Sequence, residues 1–258
     1  MTNKKRKIVF ITDCCDIAFN ELCGTISNYI KNEDEIHIEP VASVEPFSII
    51  NGAFSLRLLA EIYPENTIFS IILNPCKIRP ERIMGTTIKK NLTFVGANTG
   101  VFDWFLNDFG INELYEIKDE GFFPFGGKYV HAPTVAKIAN KESFSKLGTP
   151  FDKNKLRKLP LEDGIVVHID NFGLIKFIGK MENTDEGALF DVYLNEKKIG
   201  EFIYYKRMMA QDTGKWIIYP SSSLNLIEIG KVRSNGAKEI NAKIGDKITF
   251  KKLTYKNL

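Results

Sequence analysis

The order of hydrophobic patterns is the feature that most constrains the fold of this chain. Through the first 150 residues, apolar runs typical of buried strands alternate with runs whose apolar residues recur at helical spacing. The strand-like runs are residues 7–12, 36–41 and 67–73, the helix-like runs are 19–30, 50–62 and 101–109, and residues 85–90 and 92–95 form a strand pair. This alternation predicts an α/β domain with Rossmann-like layers around a largely parallel sheet.

The pattern changes after residue 150. Residues 151–162 have the composition of a linker. Beyond them there is no convincing helical periodicity, and short strand-like runs are separated by turn residues. These runs are residues 164–169, 174–178, 188–194, 197–205, 215–219, 224–229 and 247–253. The sequence therefore predicts an α/β domain over residues 1–150 and a small all-β barrel or sandwich over residues 163–258.

Composition excludes several classes of protein. The 258 residues are 44% hydrophobic and 26% charged, a balance typical of globular domains. The formal net charge of +3 is too small to indicate a nucleic-acid-binding surface. No apolar run approaches the roughly 18 residues of a membrane span, and the apolar residues 8–11 are too few for the core of a signal peptide. We therefore expect a cytoplasmic protein that binds neither nucleic acid nor membrane.

The cysteines and histidines do not have the spacing of a metal site. Zinc sites use paired cysteines or closely spaced histidines, and neither pattern occurs here. The residues concerned are Cys14, Cys15, Cys23, Cys76, His37, His131 and His168. We expect reduced thiols and no bound metal.

Polar residues follow the predicted strands of the first domain. Asp13 comes directly after the first strand and Asp16 lies three residues further on, while Asn74 follows the third strand. Loops after the carboxyl ends of parallel strands are the usual ligand sites of open α/β sheets. These positions therefore form a candidate site, in which Asp16 is better explained as the cap of the helix that follows it.

Four fragments carry a resemblance to a known family. They are Ile11-Thr12-Asp13, Asn74-Pro75, residues 94–100 (FVGANTG) and residues 168–173 (HIDNFG). In order and spacing they resemble the S-adenosylmethionine (SAM) hydroxide adenosyltransferases and the related fluorinase and chlorinase. The hydroxide-using members attack ribose C5′ of SAM and give adenosine and L-methionine. The resemblance implies SAM as substrate, water as nucleophile, no further cofactor, and a homotrimer with its sites between subunits.

The resemblance also implies substrate contacts in the first domain. Asp13 corresponds to the carboxylate that accepts both ribose hydroxyls, and Asp16 to one that helps to hold the amino-acid end. Phe47 corresponds to an aromatic residue that packs against the nucleoside, or it instead staples the next helix. Ser48 replaces a family acid. Asn98 lies in a turn that is mainly a fold marker and is also a candidate for ligand contact.

In the second domain the resemblance implies an adenine site. Phe172 corresponds to the aromatic residue that stacks on adenine, unless it is a core aromatic at a barrel turn. Leu174 stands where the family has the asparagine that reads the adenine edge, so Asn171 is the candidate amide. Ser222 and Ser223 match a family turn near the methionine carboxylate and adenine, although a serine turn between strands is also explained by its own hydrogen bonding.

The family residues that handle water are an aspartate, an arginine and a histidine, and this chain has changed them. Asn74 stands at the aspartate position, where an amide can orient a water but cannot accept its proton at neutral pH. The arginine position holds Glu81, with Arg79 and Arg82 as neighbours, so a small loop shift would place an arginine there. Gly126 stands at the histidine position, and His131 stands at a family phenylalanine and is expected to be packed or exposed rather than catalytic.

The sequence therefore predicts cleavage of SAM by water, with Asn74 and Arg82 as catalytic residues. The altered positions leave a second function open, a binding protein that keeps the adenosyl pocket without catalysis. A third possibility is a retained scaffold whose pocket holds another nucleoside.

Overall fold

The computed structural model describes residues 5–119, 121, 124–181 and 183–253. The chain forms two compact units, Met1–Leu159 and Pro160–Leu258. Residues 151–159, expected to be part of a linker, group with the first unit, where the Phe151 N–H donates to the Leu114 carbonyl at 3.0 Å. Within the described ranges, no helix has the length and apolar character needed to cross a membrane.

The first unit alternates strands and helices for most of its length. Its elements are β1 (Arg6–Thr12), α1 (Ile17–Tyr29), β2 (Ile36–Ile38), β3 (Ala42–Ser43), α2 (Ile49–Ile62), β4 (Ile68–Ile72), β5 (Arg82–Thr86), β6 (Thr93–Ala97), α3 (Asp103–Phe109), β7 (Glu113–Ile117), a π-helical turn (Gly127–His131), α4 (Ala132–Ala139), α5 (Phe144–Leu147) and β8 (Gly148–Pro150). The predicted strands and helices of this half each correspond to an observed element.

The sheet of the first unit is mixed rather than largely parallel. Its order is β2-β1-β4-β6-β5-β7-β8, with β3 also paired to β1. The pairs β1–β2, β1–β3, β1–β4 and β4–β6 are parallel, but β5 is antiparallel to both β6 and β7, and β7 is antiparallel to β8. The expectation of a largely parallel sheet is corrected, and Rossmann-like layering stays a prediction.

Two local features explain why β1 is a central strand and why β5 and β6 are antiparallel. The side chains of β1 alternate between two hydrophobic clusters, with Val9 and Ile11 in one and Ile8 and Phe10 in the other, so both faces of the strand are buried. The turn between β5 and β6 contains Lys90 and Asn91 with φ of 62° and 46°. Positive φ values reverse the chain tightly, so the two strands pair as an antiparallel hairpin.

The second unit is built around a seven-stranded sheet. Its elements are β9 (Val166–Ile169), β10 (Ile175–Phe177), β11 (Leu189–Leu194), β12 (Lys197–Tyr204), β13 (Trp216–Pro220), β14 (Ile227–Lys231), α6 (Gly236–Ile240) and β15 (Ile248–Lys252). The sheet order is β15-β11-β12-β13-β14-β10-β9, and the β12–β13 pair is parallel. The sheet curls, and an isolated antiparallel bridge from Ile165 to Lys247 joins its two edges.

The sequence did not predict helix α6 of the second unit. Helix α6 has five residues, too few to show a helical period, and Asn235 caps it by accepting a hydrogen bond from the Lys238 N–H at 2.9 Å. The seven predicted strand-like runs do correspond to strands β9 to β15. Their alternating apolar residues, such as Ile175, Phe177, Ile227 and Ile229, fill the interior of the curled sheet.

Candidate functional site

One edge of the first sheet gathers most of the candidate residues of that unit. In the strand registers Thr12 pairs with Ile72, Ile71 with Gly96 and Arg82 with Ala97. The carboxyl ends of β1, β4 and β6 and the start of β5 therefore lie side by side. Asp13, Asn74, Asn98 and Arg82 project from this edge because each stands at or just beyond a strand end.

Asp13 is fixed in place by the loop that surrounds it. The Thr12 hydroxyl donates to the Ile72 carbonyl at 2.8 Å and accepts from the Cys14 N–H at 3.0 Å, which ties the start of the loop to β4. The Asp13 carboxylate accepts a hydrogen bond from the Phe47 N–H at 2.9 Å. A partly buried carboxylate with one backbone donor keeps further lone pairs for ligand hydroxyls.

Phe47 is held in an unusual backbone conformation. Its φ is +60°, which is rare for a bulky residue and costs free energy. Its side chain is 70% exposed, so the ring contributes little to the packing of α2 and does not act as a staple. An exposed aromatic ring beside a fixed carboxylate is suited to contact a nucleoside.

Asp16 and Ser48 both cap helices. Asp16 accepts a hydrogen bond from the Ala18 N–H at 3.0 Å at the start of α1, and the Ser48 hydroxyl accepts one from the Asn51 N–H at 3.2 Å at the start of α2. These contacts satisfy backbone donors that a helix leaves unpaired. The substrate contacts expected of Asp16 and Ser48 stay predictions.

Asn98 is buried and joins two parts of the first unit. Its amide nitrogen donates to the Lys155 carbonyl at 3.0 Å and to the Glu81 carboxylate at 3.1 Å, while its oxygen accepts from the Arg157 N–H at 3.0 Å. The side chain thus fastens residues 151–159 to the end of β6. The ligand contact considered for Asn98 stays a prediction.

Asn74 is exposed in the loop after β4. Its side-chain oxygen accepts a hydrogen bond from the Cys76 N–H at 3.1 Å, a local turn typical of asparagine. The role of Asn74 in orienting water stays a prediction, and its amide NH₂ group is the part that would donate to such a water.

Arg82 forms an ion pair that the sequence did not reveal. Its guanidinium donates to the carboxylate of Asp119, which also accepts from Arg79. The second oxygen of Asp119 is buried and has no hydrogen-bond partner among the described residues. Burial lowers the pKa of Arg82, and the charge of Arg79 lowers it further, but a guanidinium remains charged at neutral pH. The only sequence signal for Asp119 is its position two residues after β7, at the same edge.

Arg82 also occupies the space next to Gly126. A Cβ added to Gly126 would lie 2.8 Å from Arg82 Cζ and closer still to one guanidinium nitrogen. Gly126 is the position where the resemblance places a histidine. In this chain the arginine side chain therefore fills the volume that a side chain at residue 126 would need.

His131 lies beside this arginine but is not exposed. It is the last residue of the π-helical turn, and both ring nitrogens are buried without a hydrogen-bond partner in the described part of the chain. Burial, with a smaller contribution from the charge of Arg82, lowers the pKa of His131 to about 3. The ring is therefore neutral at physiological pH and packed in the interior.

In the second unit, Phe172 is presented by a tight turn. The Asp170 carboxylate accepts hydrogen bonds from the N–H groups of Phe172 and Leu174 at 3.0 and 2.9 Å. Gly173 has a φ of +79°, and a Cβ there would collide with Asn235. Phe172 is 66% exposed, so the alternative of a core aromatic is wrong. Its neighbour Asn171 is exposed as well.

The serine turn lies between β13 and β14. Ser221 is buried and donates to the Glu228 carboxylate at 3.0 Å, while its hydroxyl accepts from the Ser223 N–H at 3.1 Å. Ser222 is exposed and Ser223 is half-buried. The substrate contacts expected of Ser222, Ser223, Asn171 and Phe172 stay predictions.

No metal centre is found among the residues that the structure describes. No group of three or more His, Cys, Asp or Glu side chains there is placed to hold a metal ion. Cys14, Cys15, Cys23 and Cys76 are free cysteines.

Comparison with solved structures identifies the fold. An uncharacterized conserved protein from Thermotoga maritima matches with a TM-score of 0.79 at 20% identity, over 95% of this chain and 100% of that one. A conserved hypothetical protein from Thermus thermophilus matches with a TM-score of 0.75 at 16% identity, over 95% of this chain and 100% of that one. At these identities the similarity concerns the fold alone.

Comparison with protein families identifies the kind of ligand. A search among curated proteins gave no match. The model of the SAM hydroxide adenosyltransferase N-terminal domain matches residues 8–148, more than half of the chain and the part that carries Asp13, Phe47, Asn74 and Arg82. The resemblance to this family is therefore confirmed by a match that includes the fragments at residues 11–13, 74–75 and 94–100, and action on SAM in general follows from it. The fragment at residues 168–173 lies outside the matched range. This chain belongs to the SAM hydroxide adenosyltransferase family.

Proposed function

We propose that this protein cleaves SAM with water at ribose C5′ and releases adenosine and L-methionine. Family membership supports SAM as the substrate. The proposal rests on one observation at the carboxyl edge of the sheet. There the Asp13 carboxylate accepts a hydrogen bond from the Phe47 N–H, and the Phe47 residue is exposed. A carboxylate for ribose hydroxyls and an aromatic face for the nucleoside are the groups that an adenosyl ligand requires.

The reaction needs little covalent chemistry from the protein. The water oxygen forms a bond to C5′, the C5′–S bond breaks, and its electron pair stays on the sulfur of methionine. One proton passes from the water to solvent. Because a sulfonium is already a good leaving group, alignment and removal of bulk water supply most of the acceleration.

The candidate residues have distinct roles in this proposal. Asp13 binds the ribose, Phe47 contacts the nucleoside, and Phe172 stacks on adenine. Asn74 orients the water through its amide, and Arg82 supplies a fixed positive charge at the same edge. The binding set is completed by Asp16, Ser48, Asn98, Asn171, Ser222 and Ser223. No metal takes part, and the working form is a cytoplasmic homotrimer, which light scattering of the purified protein tests.

Product analysis tests the reaction. Purified protein is incubated with SAM in ¹⁸O-labelled water, and adenosine and methionine are quantified by chromatography and mass spectrometry. We expect equal amounts of the two products, with ¹⁸O in the 5′-hydroxyl of adenosine. Adenosine formation no faster than in buffer would overturn the hydrolytic proposal.

A pair of arginine variants tests the site. Arg82→Lys keeps the charge but loses the fork geometry, and we expect its kcat to fall about 10- to 100-fold. Arg57→Lys is the control, since Arg57 is likewise held by carboxylates, Asp108 at 2.5 Å and Glu61 at 2.8 Å, but it lies on α2. Equal losses in the two variants would show that Arg82 acts only through folding.

A second candidate function has a specific observation in its favour. The two positions that would accept or relay a proton are altered: the Asn74 oxygen is bonded to the Cys76 N–H, and the space beside Gly126 is filled by Arg82. These features favour a SAM or adenosine binding protein that does not turn its ligand over. Calorimetry showing tight binding of SAM together with unchanged ligand after long incubation would select this function.

A further inference from the structure

A row of polar side chains crosses four neighbouring strands of the second unit. In the strand registers Lys176 on β10 is paired with His168 on β9 and with Glu228 on β14, and Glu228 is paired with Tyr219 on β13. Residues that alternate with this row, such as Ile175 and Ile229, belong to the hydrophobic interior. Because successive side chains of a strand point to opposite faces, the polar row lies on the other face of the sheet.

The centre of this row is a buried ion pair. Lys176 Nζ lies 2.6 Å from Glu228 Oε2, and both residues are buried. Glu228 also accepts hydrogen bonds from the hydroxyls of Tyr219 and Ser221. Burial and the Glu228 carboxylate raise the pKa of Tyr219, which keeps its hydroxyl protonated as a donor.

A buried ion pair is a poor device for stability alone. Removing two charges from water costs free energy, and their mutual attraction often does no more than offset that cost. Proteins in which an apolar pair of similar size replaces such an ion pair are frequently as stable as the original. The pair here is therefore explained better by what it holds in place than by stability.

The ion pair connects two turns. On one side Lys176 Nζ lies 4.0 Å from Asp170 Oδ2, and the other Asp170 oxygen accepts from the N–H groups of Phe172 and Leu174. On the other side Glu228 accepts from the Ser221 hydroxyl, which in turn accepts from the Ser223 N–H at 3.1 Å. A continuous series of polar contacts thus runs from the Phe172 turn to the serine turn.

We propose that Lys176 and Glu228 are positioning residues that hold the Phe172 turn and the serine turn together in the conformation that binds adenosine. The inference rests on the proposed function, because it takes these turns as the adenine-binding part of the protein. Neither residue has to touch the ligand. The charged pair sets the position of Asp170 and Ser221, and these set the backbone of the two turns.

The test uses a double variant that removes both members of the buried ion pair and leaves Asp170 with its two backbone N–H donors. Lys176→Met combined with Glu228→Leu is expected to fold, because removal of both partners avoids an isolated buried charge. We expect calorimetry to show at least about 10-fold weaker adenosine binding, with the preference for adenosine over inosine reduced. A reduced preference for adenosine over inosine would show that the turn in contact with the adenine base has changed. A purely structural change would leave this preference intact.

A matched control lies on strands β11 and β12 of the same unit. Lys198 Nζ and Asp191 Oδ1 are 2.6 Å apart, and Lys198→Met with Asp191→Leu removes a more exposed cross-strand pair that strand β13 separates from β14. This control should bind adenosine like the wild type. A milder variant, Ser221→Ala, removes the hydroxyl that links Glu228 to the Ser223 N–H. It should weaken adenosine binding several-fold even where the double variant does not fold.

The outcomes separate the two proposals. Wild-type protein that binds neither SAM nor adenosine defeats the proposed function. Wild-type protein that binds adenosine, together with a folded double variant or a Ser221→Ala variant of unchanged affinity and preference, defeats the positioning role alone.

Discussion

The Asp13 carboxylate accepts a hydrogen bond from the backbone N–H of Phe47 at 2.9 Å, across 34 residues of sequence. This contact fixes the carboxylate beside an exposed ring whose backbone has a φ of +60°. A strained conformation persists only where its surroundings hold it, and such sites concentrate where ligands bind. The contact therefore joins two groups that the sequence could name only separately.

Asp13 and Asp16 can be separated by mutation. Asp13→Ala should weaken adenosine binding about 100-fold, because two hydrogen bonds from hydroxyls to a charged group are lost. Asp16→Ala should lower the free energy of unfolding by about 1 kcal/mol through loss of the α1 cap and leave adenosine binding nearly unchanged. Calorimetry with adenosine and with SAM measures both. An effect of Asp16→Ala on SAM alone would assign Asp16 to the amino-acid end.

Phe47→Gly should separate binding from stability. Glycine adopts positive φ without steric cost, and little packing is lost because the ring is exposed. We expect the free energy of unfolding, measured in urea, to change by no more than about 1 kcal/mol in either direction. Adenosine binding should nevertheless fall at least about 10-fold, as expected for loss of an aromatic contact. A much larger loss of stability with intact binding would show that the ring packs rather than binds.

Gly126→Ala should destabilise the fold, because the added methyl group would collide with Arg82. The new methyl group would displace the Arg82 guanidinium from Asp119, and we expect a loss of about 1–3 kcal/mol in stability. Gly24→Ala is the control, since a Cβ at Gly24 on α1 has no atom within 4 Å, and it should be neutral or stabilising by up to about 1 kcal/mol. In the Arg82→Ala background the cost of Gly126→Ala should shrink by at least about 1 kcal/mol. Simple additivity would contradict the packing of Arg82 on Gly126.

His131 makes the fold sensitive to acid. Its pKa is about 3 in the folded state against an ordinary value of 6.5, so below about pH 6.5 the unfolded chain binds a proton that the folded chain does not. Stability is therefore lost as the pH falls from 6.5 towards 3. Between about pH 7.5 and 5.0 the wild type should lose about 2 kcal/mol more than His131→Phe, at roughly 1.36 kcal/mol per pH unit below 6.5. Urea denaturation at both pH values checks this, and parallel pH profiles would contradict it.

The locations of the strands and helices could be predicted from sequence because their signals are local. The continuous apolar run of β1 and the helical spacing in α1 and α2 depend only on near neighbours. The predicted runs of the second half became strands β9 to β15 for the same reason. Helix α6 escaped prediction because five residues cannot display a helical period.

Strand direction could not be predicted in the same way. The hairpin of β5 and β6 was expected, but the antiparallel pairing of β5 with β7 and of β7 with β8 joins segments far apart in sequence. Hydrophobic periodicity is identical for parallel and antiparallel strands that are buried on both faces. For this reason the sequence suggested a largely parallel sheet, whereas the structure has a mixed one.

The sequence by itself determined the family, the order of the elements, and the candidate carboxylate and aromatic residues, because motifs and periodicity are written in consecutive residues. The tertiary structure alone decided which polar groups meet. Asp119 joins Arg82 across 37 residues, and the Asn98 side chain takes two of its three partners from residues 155 and 157. Such pairs form because segments distant in sequence fold onto the same edge of the sheet. A pattern in consecutive residues cannot predict which of these segments come into contact.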